Sequence, residues 1–180
     1  MKAISIWQPW ATLIALGEKR IETRGWETRY RGPLAIHAAK RWDRELADLC
    51  LLNEPIREAL CRDPEISRRV YAQEEDRIGL SRFLPLGCVV ATCRLVACLP
   101  TPRDTPDLGA PFVLGDTRRL PTADPMSYSV TTTERAFGSY EPGRWAWVLE
   151  AVRELRTPIP YRGFPGIFEM PDAIFTENAS

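Results

Sequence analysis

The segment Gly17-Glu18-Lys19-Arg20-Ile21-Glu22-Thr23-Arg24 most constrains what this chain can fold into. Upstream of it, Trp10, Leu13, Ile14 and Leu16 recur at helical spacing behind Pro9, which suits a first helical turn because its missing N–H has no partner there in any case. Gly17 then stops the helix, since glycine readily takes the left-handed backbone of a C-terminal cap. Residues 19–24 read as a strand with Glu22 and Arg24 on one face and Ile21 and Thr23 on the other. Lys19 falls on the Ile21 side of a regular strand, and joins Glu22 and Arg24 only if the chain bends after Gly17. We expect that bend. Two cations and a carboxylate in six residues exceed what a solvated turn needs. With Trp7, Trp10 and Trp26 flanking them, they supply the aromatic surface and charge that hold a base and its phosphate.

The rest of the chain alternates short strand and helix patterns. Strands are expected at 3–7, at 34–39 after the turn Arg31-Gly32-Pro33, at 87–99, at 144–155 and near 166–169. Residues 43–77 carry Leu and Ile at helical spacing and read as two helices, with breaks near Asn53-Glu54-Pro55 and Asp63-Pro64. Residues 100–130 hold six prolines among Asp, Thr and Gly, and read as a long loop. Thr131-Thr-Thr-Glu134 has the spacing of a helix cap. Several strands around a few helices point to a small mixed β-barrel in one domain spanning 1–180, with the helical stretch 43–77 and the loop 100–130 as insertions.

Composition narrows the function classes. A chain of 180 residues with 44% hydrophobic content can bury one sizeable core. No run approaches the roughly 18–20 apolar residues of a membrane span, and no leader pattern opens the chain, so a cytoplasmic location is expected. Cys50, Cys61, Cys88, Cys93 and Cys98 contain no Cys-x-x-Cys pair, and His37 is the sole histidine. The four closely paired ligands of a zinc site are missing, so neither metal nor cofactor is expected and the cysteines read as reduced thiols. Net charge is zero, which argues against a general polyanion binder. Residues 1–44 nevertheless hold nine Lys/Arg against four Asp/Glu. That basic end coincides with the charged motif and fits a nucleotide or short strand better than broad duplex coating.

Ser5-Ile6-Trp7-Gln8-Pro9-Trp10-Ala11, then Gly17-x-Lys19-x-x-Glu22-x-Arg24, Trp26, Arg31-Gly32 and Ile36-His37-Ala38-Ala39-Lys40, resembles the ASCH domain (activating signal cointegrator homology). The resemblance is dense over 4–40 and looser over 86–99 and 144–169. It implies an α+β, PUA-like small β-barrel with flanking helices, a fold associated with RNA. Some small members hydrolyse an N4-acylated cytidine nucleoside. Lys19 corresponds to their lysine, Glu22 stands where they have threonine, and their downstream carboxylate has no evident counterpart here. Another member has been regarded as a ribonuclease, and larger relatives resemble nucleic-acid-binding modules.

Three readings follow. The first is a module that binds RNA, single-stranded nucleic acid or a modified nucleotide through Trp10, Lys19, Glu22, Arg24, Trp26, His37 and Lys40, as a monomer. In it Lys19, Glu22 and Arg24 form a polar floor, and Trp10 or Trp26 with His37 form the walls. The second is a metal-independent hydrolase of a nucleoside amide or RNA, with Lys19 as nucleophile or base and Glu22 as proton carrier. The third is a protein-interaction domain. Against all three stands an exposed ladder of ion pairs, worth about 0–1 kcal/mol. The tryptophans fit either core or stacking platform, with Trp145 and Trp147 on one strand face as core.

Overall fold

A computed structural model describes residues 1–71, 83–102, 111–114 and 129–176 of the chain. Residues 72–77 of the expected helical stretch and most of the proline-rich 100–130 segment lie outside the described residues. In chain order the elements begin β1 (Lys2–Ile6), α1 (Trp10–Ala15), β2 (Ile21–Arg24) and β3 (Gly32–Ala38). Three helices follow, α2 (Arg44–Leu52), α3 (Glu54–Leu60) and α4 (Pro64–Tyr71), then β4 (Cys88–Pro100), β5 (Phe112–Val113) and β6 (Ser129–Val130). The chain closes with α5 (Thr132–Ala136), β7 (Trp145–Pro160), β8 (Ile167–Glu169) and α6 (Ala173–Thr176). Parallel and antiparallel pairings occur beside separate helices, so the class is α+β, as the sequence predicts.

The chain divides into two compact units, each built from discontinuous stretches. The first comprises Met1–Glu18, Pro33–Cys93 and Val152–Ser180. Its strands run in the order β4-β3-β1-β8, with β1 parallel to β3 (Ile6 opposite Ala38) and antiparallel to β8 (Ile4 opposite Ile167). Leu34 to Ala38 are buried without alternation, as expected of a parallel strand covered on both faces. Ala3, Ala35, Val89, Ile159 and Met170 form a core there, with Leu155, Phe168 and Phe175 packed against it.

Two breaks divide the helical stretch into three helices, where two were expected. Asp43 caps α2 by accepting from Leu46 N at 3.0 Å. Asn53 ends that helix and caps the next, accepting from Ile56 N at 3.2 Å. Asp63 accepts from Ile66 N at 2.9 Å and opens α4 before Pro64. Each short polar side chain satisfies an orphan N–H, so the helix restarts instead of continuing.

The second unit comprises Lys19–Gly32 and Arg94–Ala151, with strands in the order β2-β7-β4. β2 is antiparallel to β7, pairing Ile21 with Val148, Glu22 with Trp147, Thr23 with Ala146 and Arg24 with Trp145. One face puts Ile21, Ala146 and Val148 into a core with Ala97, Leu114, Val130 and Tyr140. Trp147, on the other face, is fully buried, as its strand pattern predicts; Trp145 is only partly so. The described cysteines are all free, and burial pushes the Cys50 and Cys93 thiols up to about 12, which makes them inert.

Candidate functional site around a buried lysine

Gly17 has φ +77, the left-handed turn expected of it, and β2 starts only at Ile21. Lys19 therefore precedes the strand and escapes its parity. Its Nζ donates to the Ile21 carbonyl and lies 3.9 Å from Glu22 Oε2. The side chain is completely buried, so the reading as an exposed ion-pair ladder fails. Glu22 bridges onward to Arg24, whose Nε sits 3.0 Å from Glu22 Oε1 at a partly open position. The three motif residues thus form one chain of charge running from interior to surface.

A fourth member was not recognised from sequence. Glu134 is buried, with Oε1 at 3.8 Å from Lys19 Nζ. Its two oxygens accept from Arg20 N at 2.8 Å and Ile21 N at 3.1 Å, the backbone donors just before β2 and at its first residue. Burial raises the Glu134 carboxyl above the usual range, and the Lys19 charge and both amide donors oppose that rise. The Thr131-Thr-Thr-Glu134 spacing did mark a helix start. Thr131 Oγ1 accepts from Glu134 N at 3.1 Å and caps α5. That signal concealed the carboxylate's other use, because a capping glutamate normally turns back to its own cap.

Tyr140 and Gly138 complete the surroundings. The Tyr140 hydroxyl is buried without a hydrogen-bond partner among the described residues, and burial together with the charges of Glu134 and Glu22 pushes it up. A Cβ on Gly138 would lie 3.2 Å from Tyr140, 3.3 Å from Thr23 Oγ1 and 3.4 Å from Lys19 Nζ, so only glycine fits there without displacement. Ser139 N donates to Thr23 Oγ1 at 3.2 Å and fixes that segment on β2. Trp26 is 39% exposed and meets the edge of Trp147 at 4.6 Å with planes at 89°. It therefore offers an aromatic surface to solvent.

Trp10, His37 and Lys40 belong to the first unit. Trp10 begins α1 and is partly exposed. His37, expected in the wall of the site, is 2% exposed because both faces of β3 are covered. Its Nε2 lies 3.0 Å from the Tyr161 carbonyl and its Nδ1 3.1 Å from Ser5 Oγ. With Nε2–H donating, Nδ1 accepts the serine proton. Burial, followed by the Lys40 charge, lowers its pKa and keeps it neutral. Lys40 is exposed, with its alkyl chain lying against Gly87. Among the described residues no cluster of three His, Cys, Asp or Glu could hold a metal, and no helix is long and apolar enough to cross a membrane.

A family model described as "ASCH domain" matches residues 4–158. No curated protein matches the chain. Two crystal structures of ZmASCH from Zymomonas mobilis, a serine-to-alanine and a tyrosine-to-phenylalanine mutant, are similar to it at 13% identity and TM-score 0.43. The likeness covers 98% of this chain, with 92% and 94% of the respective neighbours.

Proposed function

The chain belongs to the ASCH domain family, and we propose that it binds RNA, single-stranded nucleic acid or a modified nucleotide through Glu22, Arg24 and Trp26, with Lys19 behind them. The observation that carries this reading is the graded exposure of one connected charge chain. Lys19 is sealed and Arg24 is partly exposed, with Glu22 between them in contact with both. A ligand would meet a guanidinium fixed by a 3.0 Å ion pair, a carboxylate able to accept from a base amino group, and the free face of Trp26. Preorganisation of this kind reduces the ordering cost of binding. Lys19 backs Glu22 from the interior at 3.9 Å and does not itself reach the ligand. His37, with both nitrogens engaged inside the other unit, supports that unit's packing in this reading.

A second reading has one observation in its favour. Glu134, raised by burial and adjacent to Lys19, has the character of a proton carrier for metal-independent hydrolysis of a nucleoside amide or RNA. It would supply the carboxylate for which the sequence offers no evident counterpart, with Glu22 between Lys19 and the surface. The burial of Lys19 favours binding over this alternative.

Fluorescence anisotropy with a labelled single-stranded RNA oligonucleotide, run beside turnover assays on N4-acetylcytidine and RNA, separates the two. Binding lost in Arg24→Ala without turnover in the wild type supports the module. Turnover that disappears in Glu134→Gln while affinity persists would replace it with the enzyme.

A further inference from the structure

At one end of the first unit's sheet, two arginine–aromatic stacks face solvent. β1 and β3 are parallel and leave the sheet together, with Ile6 opposite Ala38. β8 runs against β1, so the residues leading into it arrive at that same end. Trp7, Lys40 and Arg41 follow the two departing strands, while Arg162 and Phe164 precede the arriving one. Trp7 is 46% exposed and Phe164 42% exposed, whereas most large apolar side chains in this unit are buried. The Arg41 guanidinium lies 4.1 Å from the Trp7 ring centroid, and that of Arg162 lies 5.4 Å from the Phe164 centroid. Asp43 holds Arg41 through its Nε at 2.8 Å, leaving the far side of the guanidinium unused by that bond. No acidic side chain pairs with Lys40 or Arg162 among the described residues.

We propose that this end of the first unit is a second contact surface, on which a single-stranded polynucleotide stacks bases against Trp7 and Phe164 and sets phosphates on Lys40, Arg41 and Arg162. The inference rests on the reading of the chain as a nucleic-acid binder and extends it from one nucleotide to a strand. Exposed aromatic rings cost solvation unless covered, and the three cations select a polyanionic cover over an apolar one. Stacking is indifferent to base identity because every base presents a π-face, so the surface supplies affinity without sequence preference. The arginine over each ring fixes its plane beforehand, which lowers the ordering cost at binding.

The test compares the full chain with Trp7→Ala/Phe164→Ala and with Lys40→Glu/Arg162→Glu. The probes are a labelled twelve-residue oligouridylate and, separately, cytidine monophosphate. All four positions are solvent-facing, and circular dichroism melting checks that each variant folds. The proposal expects at least a tenfold loss of oligouridylate affinity in the aromatic pair variant. In the charge variant the slope of log affinity against log salt flattens by about 0.7 for each phosphate contact removed. Cytidine monophosphate affinity stays unchanged in both. Oligouridylate affinity within twofold of wild type in the aromatic variant overturns this surface and leaves the Arg24 site standing. A wild type that binds cytidine monophosphate but no oligouridylate overturns it equally. Binding of neither probe overturns both proposals.

Discussion

The Glu134 carboxylate stands 3.8 Å from the Lys19 ammonium, with both side chains buried and Glu134 also bonded to two backbone amides of the turn that carries Lys19. The pair locks α5 onto the start of β2. Removing Lys19 leaves Glu134 as a buried charge without its cation, a loss of about 3–5 kcal/mol. Lys19→Met is therefore expected to lower urea stability by that amount, and Lys19→Met/Glu134→Gln by clearly less than the sum of the two single changes. Strict additivity in this double-mutant cycle would show that the two groups do not sense each other.

Glu134 also sets a pH dependence. Its folded pKa is raised above the ordinary 4.5, so the fold prefers the protonated form. The associated stability is fully present below about pH 4.5 and is lost as pH rises through the raised value. The difference in unfolding free energy between wild type and Glu134→Gln should fall over that interval, at up to about 1.4 kcal/mol per pH unit. A difference that is flat with pH would mean the carboxyl titrates normally.

His37 acts with the opposite sign. Its folded pKa lies below the ordinary 6.5 because burial penalises the imidazolium. Stability from the neutral ring is present above about pH 6.5 and is lost as pH falls through the lowered value. Protonation also converts Nδ1 from acceptor to donor and removes its bond from Ser5. His37→Gln should flatten the acid limb of the stability profile, and imidazole NMR shifts in the wild type should show the Nε2–H tautomer at neutral pH. A ring already charged at pH 7 would contradict this.

Two glycines are expected to resist substitution to different degrees. A Cβ on Gly163 would fall 2.5 Å from His37 Cε1 and 2.5 Å from Ser5 Oγ, where the buried ring cannot yield. At Gly138 the contacts are 3.2–3.4 Å, so a small shift of Tyr140 and Lys19 can absorb the methyl group. Gly163→Ala should cost the upper end of the roughly 1–3 kcal/mol typical of overpacking, and Gly138→Ala the lower end. Thermal melts of the two variants check the order; its reversal would show that the Tyr161–Gly163 segment moves away freely.

Local rules determined a good part of this protein. Gly17 stops the first helix, Asp43, Asn53 and Thr131 start helices, and period-two alternation writes the faces of β2 and the early part of β7. These features depend on residues within four positions of one another, so the amino-acid order carries them, and the spacing of Lys19, Glu22 and Arg24 was legible for the same reason. The tertiary structure decided which of those charges would be buried. Lys19 reads as a surface cation until Glu134 arrives from a distant helix. Glu134 reads as a helix cap until the amides of Arg20 and Ile21 claim its oxygens, and His37 reads as a cleft wall until Tyr161 and Gly163 cover it. Burial and electrostatic pairing are set by what packs alongside from remote parts of the chain, and no local spacing encodes that neighbour.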